Sequence, residues 1–229
     1  MIDYLVNILP DLTEQSPSET EAIKLLQKSE ESGVKTLIAA PIFRLHQDTI
    51  LPTDIRERVS HLNDVAKDEK LAIRVVPGQS IQLDDDLSSA YERGDLLTLN
   101  DTQYMLITLG GERLHPRISE ILYNLQLKGV KPILAHPERY QYFAANKRFY
   151  EELRTTGSYF QVNLLSLTGY YGKISQELAQ YLVKSQFVDL LGTDLHHDRH
   201  LSALRSSPTI TDTIKSIMDK GSILNPEIL

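Results

Sequence analysis

Short runs of apolar residues, separated by segments with helical spacing, constrain the fold of this chain more than any other feature. Several runs, such as 37–40 and 133–135, are apolar at consecutive rather than alternate positions. This is typical of parallel strands that are covered on both faces. The pattern predicts an α/β fold, either a (β/α) barrel or an open doubly wound sheet. The predicted strands are 2–9, 35–40, 71–76, 104–109, 132–136, 159–164 and 187–192.

Helix signals lie between these runs. We interpret Ser16-Pro17-Ser18-Glu19 as a capping box with proline at the first helical position, and Gly33 as the end of that helix. A second helix is expected to begin near Pro52. There is no repeat and no Pro-, Gly- or Ser-rich linker, so a single domain over 1–229 is predicted. Further helices are expected at about 116–128, 147–156, 175–185 and 201–220.

Composition excludes several classes of protein. No apolar run approaches the roughly 20 residues of a membrane span, and no secretory signal pattern is present. The absence of cysteine excludes disulfides and thiolate-bound zinc and favours a cytoplasmic location. The formal net charge is −7 with scattered basic residues, which argues against a nucleic-acid partner.

The first candidate for chemistry follows the predicted strand 132–136. In both candidate folds, functional groups lie at the carboxyl ends of strands. His136 and Arg139 are close together there, and imidazole and guanidinium suit a metal ion or a phosphoryl group. The alternative is a packed histidine beside an Arg–Glu pair on the surface.

The second candidate follows the strand 187–192. Asp194 and His196 alternate along an extended segment and therefore face the same side, which suits a divalent metal. The alternative is a solvated polar loop. His46, His61 and His115 are predicted to be surface or capping residues. Tyrosines 140, 142, 170 and 171 are predicted to pack half-buried with their hydroxyls in water, and the alternative is that they line a pocket.

Taken together, these stretches closely resemble one family. The segments 126–129, 132–140 (PILAHPERY), 161–173 and 188–196 are similar to the polymerase-and-histidinol-phosphatase (PHP) superfamily. Within it, they resemble the bacterial manganese-dependent protein-tyrosine phosphatases of capsule and exopolysaccharide operons. The stretches 2–3, 8–10, 77–79 and 97–101 agree. The resemblance implies a distorted (β/α)₇ TIM-like barrel whose strand ends hold a cluster of metal ions, typically three, for phosphotyrosine hydrolysis.

This sequence departs from the family at the metal site. Of the eight ligand positions that the resemblance implies, three are retained: His136, Asp194 and His196. Aliphatic side chains offer no lone pair, and neutral oxygens bind manganese, iron or zinc weakly. We therefore expect no full trinuclear cluster, and either no metal or a single divalent ion (Mn, Zn or Fe). The five replaced positions carry Leu5, Asn7, Ile42, Ser80 and Thr108.

Three functional hypotheses follow. The first is a pseudophosphatase that keeps an anion pocket at Arg139 and Arg199, positions that resemble phosphate contacts of the family, and binds a phosphotyrosine-bearing kinase tail or a phosphate anion. The second is an active mononuclear phosphatase that uses His136, Asp194 and His196. The third is a metal-free interaction scaffold. The sequence also predicts that Leu5 and Ile42 pack together in the vacated centre, and it does not specify the oligomeric state.

Overall fold

The strands of the chain form two parallel sheets. The computed structural model describes residues 2–6, 8–13, 16–110, 113–193 and 217, with the backbone alone for 2–6. Each of the seven predicted runs contains a strand, so these predictions are confirmed. The strands are β1 (Ile2–Val6), β2 (Thr36–Ala39), β3 (Ile42–Phe43), β4 (Arg74–Pro77), β5 (Ser80–Gln82), β6 (Tyr104–Thr108), β7 (Lys131–Ala135), β8 (Tyr159–Asn163) and β9 (Leu190–Gly192).

The two sheets join into one distorted barrel. Their strand orders are β1-β2-β4 and β3-β5-β6-β7-β8-β9, with every pair parallel. Only Ala40 and Pro41 separate β2 from β3, and only Gly78 and Gln79 separate β4 from β5. Each of these pairs is therefore one interrupted strand that passes from the first sheet to the second. Because β1 also contacts β9, the arrangement is the predicted seven-position barrel rather than an open sheet.

Helices follow most of the strands. The helix signals at Pro52, 116–128, 147–156 and 175–185 are confirmed, whereas 201–220 lies outside the described residues except for Ile217, which is helical. None of the helices in the described ranges has the length and apolar character needed to cross a membrane. They are α1 (Glu19–Glu31), α2 (Pro52–Asp68), α3 (Leu87–Arg93), α4 (Ile118–Leu127), α5 (Tyr142–Ala145), α6 (Arg148–Thr155), α7 (Leu164–Thr168) and α8 (Lys173–Lys184).

The start of α1 differs from its prediction. Ser18, not Ser16, is the N-cap, and Glu21 completes the capping box, so Pro17 precedes the helix instead of opening it. The Ser18 hydroxyl accepts the Glu21 backbone N–H at 3.4 Å, and Glu21 accepts the Ser18 N–H at 2.9 Å. Two overlapping serine–glutamate pairs exist in the sequence, and the structure uses the second. Gly33 follows the helix in a left-handed conformation (φ 82°), as predicted for its end.

Two apolar cores receive the side chains of the strands from β2 onward. An inner core fills the barrel and an outer core lies between strands and helices. Side chains alternate between them: Leu106 and Tyr104 of β6 belong to the inner core, while Met105 and Ile107 belong to the outer one. The rings of Tyr104 and Tyr159 meet edge to face at 5.7 Å. The inner core contains Ile38, Ala40, Val76, Leu99, Tyr104, Leu106, Ile133, Ala135 and Leu190.

Candidate functional site

A tight turn at the end of β7 presents His136 and Arg139. His136 has φ 35° and ψ 54°, a left-handed conformation that is uncommon for a residue with a side chain. The residues Pro137–Arg139 then form one 3₁₀ turn. The backbone N–H of His136 donates to the carbonyl of Gln161 on β8 at 2.8 Å. The turn is therefore attached to the neighbouring strand at the point where the chain leaves the barrel.

The guanidinium of Arg139 stacks on an aromatic ring. Its central carbon lies 4.2 Å from the centroid of the Tyr171 ring, a distance at which the ring attracts the cation. This contact limits the positions that the guanidinium can take, and its fork of N–H groups is suited to anionic oxygens. His136 is stacked as well, with its ring centroid 5.8 Å from that of Tyr140.

Glu138, which lies between His136 and Arg139 in the turn, is fully buried. One carboxylate oxygen, Oε1, accepts the backbone N–H of Asn163 at 3.0 Å and the hydroxyl of Ser166 at 2.7 Å. The other, Oε2, is buried and has no hydrogen-bond partner in the part of the chain that the structure describes. Burial raises the pKa of Glu138 to about 7, although both hydrogen bonds and the charge of Arg139 oppose the shift. The alternative of a surface Arg–Glu pair is therefore wrong.

Side chains are described at three of the five positions where the family resemblance implies a replaced ligand. Ser80 is fully buried, and its hydroxyl has no partner within the described ranges. The Thr108 hydroxyl donates to the carbonyl of Ile81 at 3.4 Å, within its own sheet. Ile42 is 57% exposed. The predicted packing of Ile42 in the vacated centre is therefore wrong. Of the two side chains, the structure buries the polar Ser80 and exposes the apolar Ile42.

These side chains do not fit a polynuclear metal centre. The aliphatic Ile42 has no donor atom, and the hydroxyls of Ser80 and Thr108 are neutral and bind divalent transition metals weakly. Leu5 lies in β1, where only the backbone is described, and Asn7 lies outside the described residues. Asp194, His196 and Arg199 also lie outside them, so their roles beside His136 and Arg139 stay predictions.

His46, His61 and His115 form surface contacts. The backbone N–H of Arg117 donates to His115 Nδ1 at 3.3 Å, which agrees with the predicted capping role. His61 Nε2 lies 2.5 Å from Glu19 Oε2 in an exposed pair. The ligand atoms of His46, Asp84 and Asp86 all lie within 4.8 Å of one another. This group was not expected from the sequence, and in the structure His46 Nε2 lies 3.2 Å from Asp86 Oδ2 at an exposed position.

The tyrosines beside the turn, Tyr140 and Tyr142, are half-buried, as predicted. The hydroxyl of Tyr140 accepts the backbone N–H of Leu109 at 2.9 Å, at the end of β6. The hydroxyl of Tyr142 is buried and has no hydrogen-bond partner among the described residues. The prediction of a hydroxyl in water is therefore wrong for Tyr142, because the aromatic rings of 140–150 stack against the outer core.

Comparison with solved structures places this barrel among known folds. A crystal structure from work on YwqE of Bacillus subtilis and CpsB of Streptococcus pneumoniae, described as unique metal-dependent tyrosine phosphatases, matches with a TM-score of 0.84. The identity is 26%, over 94% of this chain and 92% of that one. The zinc-bound histidinol phosphate phosphatase of Lactococcus lactis shares the fold, with a TM-score of 0.58 at 11% identity over 93% of each chain.

Related sequences agree with this placement. The tyrosine-protein phosphatase YwqE of Bacillus subtilis is 29% identical over 86% of this chain and 78% of its own length. The tyrosine-protein phosphatase CpsB of Streptococcus pneumoniae is 27% identical over 86% of this chain and 83% of its own length. The model of the family described as capsular polysaccharide synthesis, CpsB/CapC, matches residues 1–222. The chain therefore belongs to the CpsB/CapC capsular polysaccharide synthesis family.

Proposed function

We propose that this chain is a pseudophosphatase, a PHP-type barrel that binds phosphorylated tyrosine without hydrolysing it efficiently. The observation that carries the proposal is the chemistry of Ile42, Ser80 and Thr108. The family resemblance implies metal ligands at these three positions. The chain has instead an exposed aliphatic group, a buried neutral hydroxyl and a hydroxyl bonded within its own sheet. Such groups do not balance the charge of several divalent cations held close together.

The binding function rests on Arg139. Its stacking on Tyr171 and its place in the turn fixed by buried Glu138 favour a pre-oriented guanidinium. A guanidinium in this setting is suited to two parallel hydrogen bonds with a phosphoryl group. Because the relatives are named tyrosine-protein phosphatases, we propose the phosphotyrosine tail of a polysaccharide-export kinase as the partner.

The first test measures turnover. Purified protein with manganese is assayed against an aryl phosphate beside YwqE of Bacillus subtilis. We expect a rate more than about tenfold lower than that of the relative, since even supporting residues of a metal site are worth 10- to 100-fold. A rate within tenfold of the relative would defeat the proposal.

The second test measures binding. A phosphotyrosine peptide is titrated into the wild type, Arg139→Ala and Arg148→Ala, with the unphosphorylated peptide as a blank. Arg148 is the matched control because it is an exposed arginine on α6, paired with Glu152 at 3.4 Å. Arg139→Ala should weaken binding at least about tenfold, because it removes charge-assisted hydrogen bonds, while Arg148→Ala should not. Absence of binding to the wild type supports the interaction scaffold instead.

Metal analysis separates the proposal from a mononuclear phosphatase. In that alternative, His136, Asp194 and His196 hold one ion with an open position, as in catalytic zinc sites with three protein ligands. Protein never exposed to chelator is compared with His136→Ala and with His46→Ala, which reports on the exposed His46 group. One ion per chain that is lost in His136→Ala and accompanied by turnover would establish the alternative.

A further inference from the structure

Asn163 lies between the two strand ends that carry the retained family residues. It is the last residue of β8 and is fully buried. Phe160 and Val162 belong to the outer core, so alternation directs Gln161 and Asn163 to the inside of the barrel. On one side, β7 leads into the turn with His136 and Arg139; on the other, Asn163 is paired in register with Gly192 at the end of β9.

Two hydrogen bonds fix the orientation of this residue. Its backbone N–H donates to Glu138 Oε1 at 3.0 Å. Its side-chain oxygen, Oδ1, accepts the backbone N–H of Leu165 at 2.9 Å, which makes Asn163 the N-cap of α7. Because Oδ1 faces the start of α7, the NH₂ group on the other side of the amide points away from that helix.

That NH₂ group has no assigned partner. Asn163 Nδ2 is buried and makes no hydrogen bond to any described residue. A buried polar group without a partner is costly and calls for an explanation. Helix capping does not provide one, because serine and aspartate cap as well as asparagine and carry no amide donor.

We propose that Asn163 is an anion-contacting residue of the strand-end site, with its side-chain amide donating to an oxygen of the phosphoryl group whose charge Arg139 balances. An amide NH₂ is a donor only, so its occupant is an acceptor such as a phosphoryl oxygen and not a metal cation. A donor fixed in advance contributes to binding without reorganisation. This inference rests on the proposed anion-binding function.

The test uses inorganic phosphate as the probe, titrated calorimetrically into the full-length wild type, Asn163→Asp and Asn163→Ser. Both substitutions keep an N-cap oxygen, and near-ultraviolet circular dichroism checks the fold. Asn146→Asp is the matched control, because Asn146 is an exposed asparagine whose Oδ1 accepts the Arg148 N–H at 3.2 Å. We expect phosphate affinity to fall about tenfold or more in Asn163→Ser, further in Asn163→Asp, which adds a negative charge, and not in Asn146→Asp.

The outcomes distinguish this inference from the proposed function. If wild-type protein binds phosphate and Arg139→Ala abolishes binding, but both Asn163 variants bind as the wild type does, the role of Asn163 is refuted and the anion pocket stands. If the wild type itself does not bind phosphate or a phosphotyrosine peptide, both are refuted. An equal loss in Asn146→Asp would show that added charge alone explains the effect, which also overturns the assignment.

Discussion

Replacing Glu138 by glutamine should change how stability depends on pH. The unfolded chain exposes this carboxyl with a pKa near 4.5, whereas burial raises the pKa to about 7 in the folded protein. Below pH 4.5 both states are protonated and the group has no effect. Between pH 4.5 and 7 the unfolded state releases its proton first, so the free energy of unfolding falls as pH rises, and above pH 7 the loss levels off.

The size of this loss follows from the pKa difference. One pKa unit corresponds to 1.36 kcal/mol, so the wild type should lose about 3 kcal/mol between pH 4.5 and 8 from this residue alone. Glutamine can keep the bonds that Oε1 accepts from Asn163 and Ser166, and it does not ionise. Its NH₂ group replaces the buried Oε2, which should cost about 1–3 kcal/mol at every pH. The variant should therefore be less stable than the wild type in acid and approach or exceed it by pH 8.

Urea denaturation at a series of pH values, in the presence of a chelator, measures this difference. The stability of Glu138→Gln minus that of the wild type should rise by about 3 kcal/mol from pH 4.5 to 8. Ser166→Ala is a second test. The Ser166 hydroxyl lowers the pKa of Glu138, so removing the hydroxyl should raise this pKa and extend the fall in the free energy of unfolding to higher pH. A difference that stays constant across this range would refute the reasoning.

Three further changes test the fold. Ser18→Ala should destabilise the protein by about 1 kcal/mol and Ser16→Ala by less than half of that, since Ser18 is the N-cap of α1; equal losses in urea denaturation would contradict the assignment. Asp189→Asn should cost about 3 kcal/mol, because Asp189 accepts the N–H of Phe160 at 2.8 Å and pairs with the partly buried Arg154; a loss below about 1 kcal/mol would show that the pair is not important for stability. Gly78→Ala should cost about 1–3 kcal/mol, because the added Cβ would lie 2.9 Å from both Ile38 Cγ2 and Leu99 Cδ2; a thermal midpoint equal to that of the wild type would contradict this.

The barrel could be predicted from sequence because its strands are covered on both faces. Consecutive apolar residues, as in 37–40 and 133–135, also occur in buried helices, but runs this short favour strands. The short strands β3 and β5 were missed because Pro41 and Gly78 interrupt the apolar pattern there. The helices α3, α5 and α7, of 7, 4 and 5 residues, are too short for a 3.6-residue periodicity to be recognised.

The site was only partly predictable, for a reason of distance along the chain. His136 and Arg139 are adjacent to one strand and were identified from that strand alone. The burial of Glu138 depends on Ser166, 28 residues later, and glutamate is rarely buried without such partners. Asn163 falls near the end of the predicted strand 159–164, and nothing in the sequence analysis gave it a role of its own. An asparagine that ends a buried strand and precedes a helix is the signal that would have singled it out as an N-cap.

The metal content of native protein tests the central claim most directly. Protein purified without chelator, in medium supplemented with manganese, zinc and iron, is analysed by mass spectrometry for metal per chain. Because the side chains of Ile42, Ser80 and Thr108 are poor ligands, the account predicts at most one ion per chain. Two or three ions per chain, lost together in His136→Ala, would contradict it.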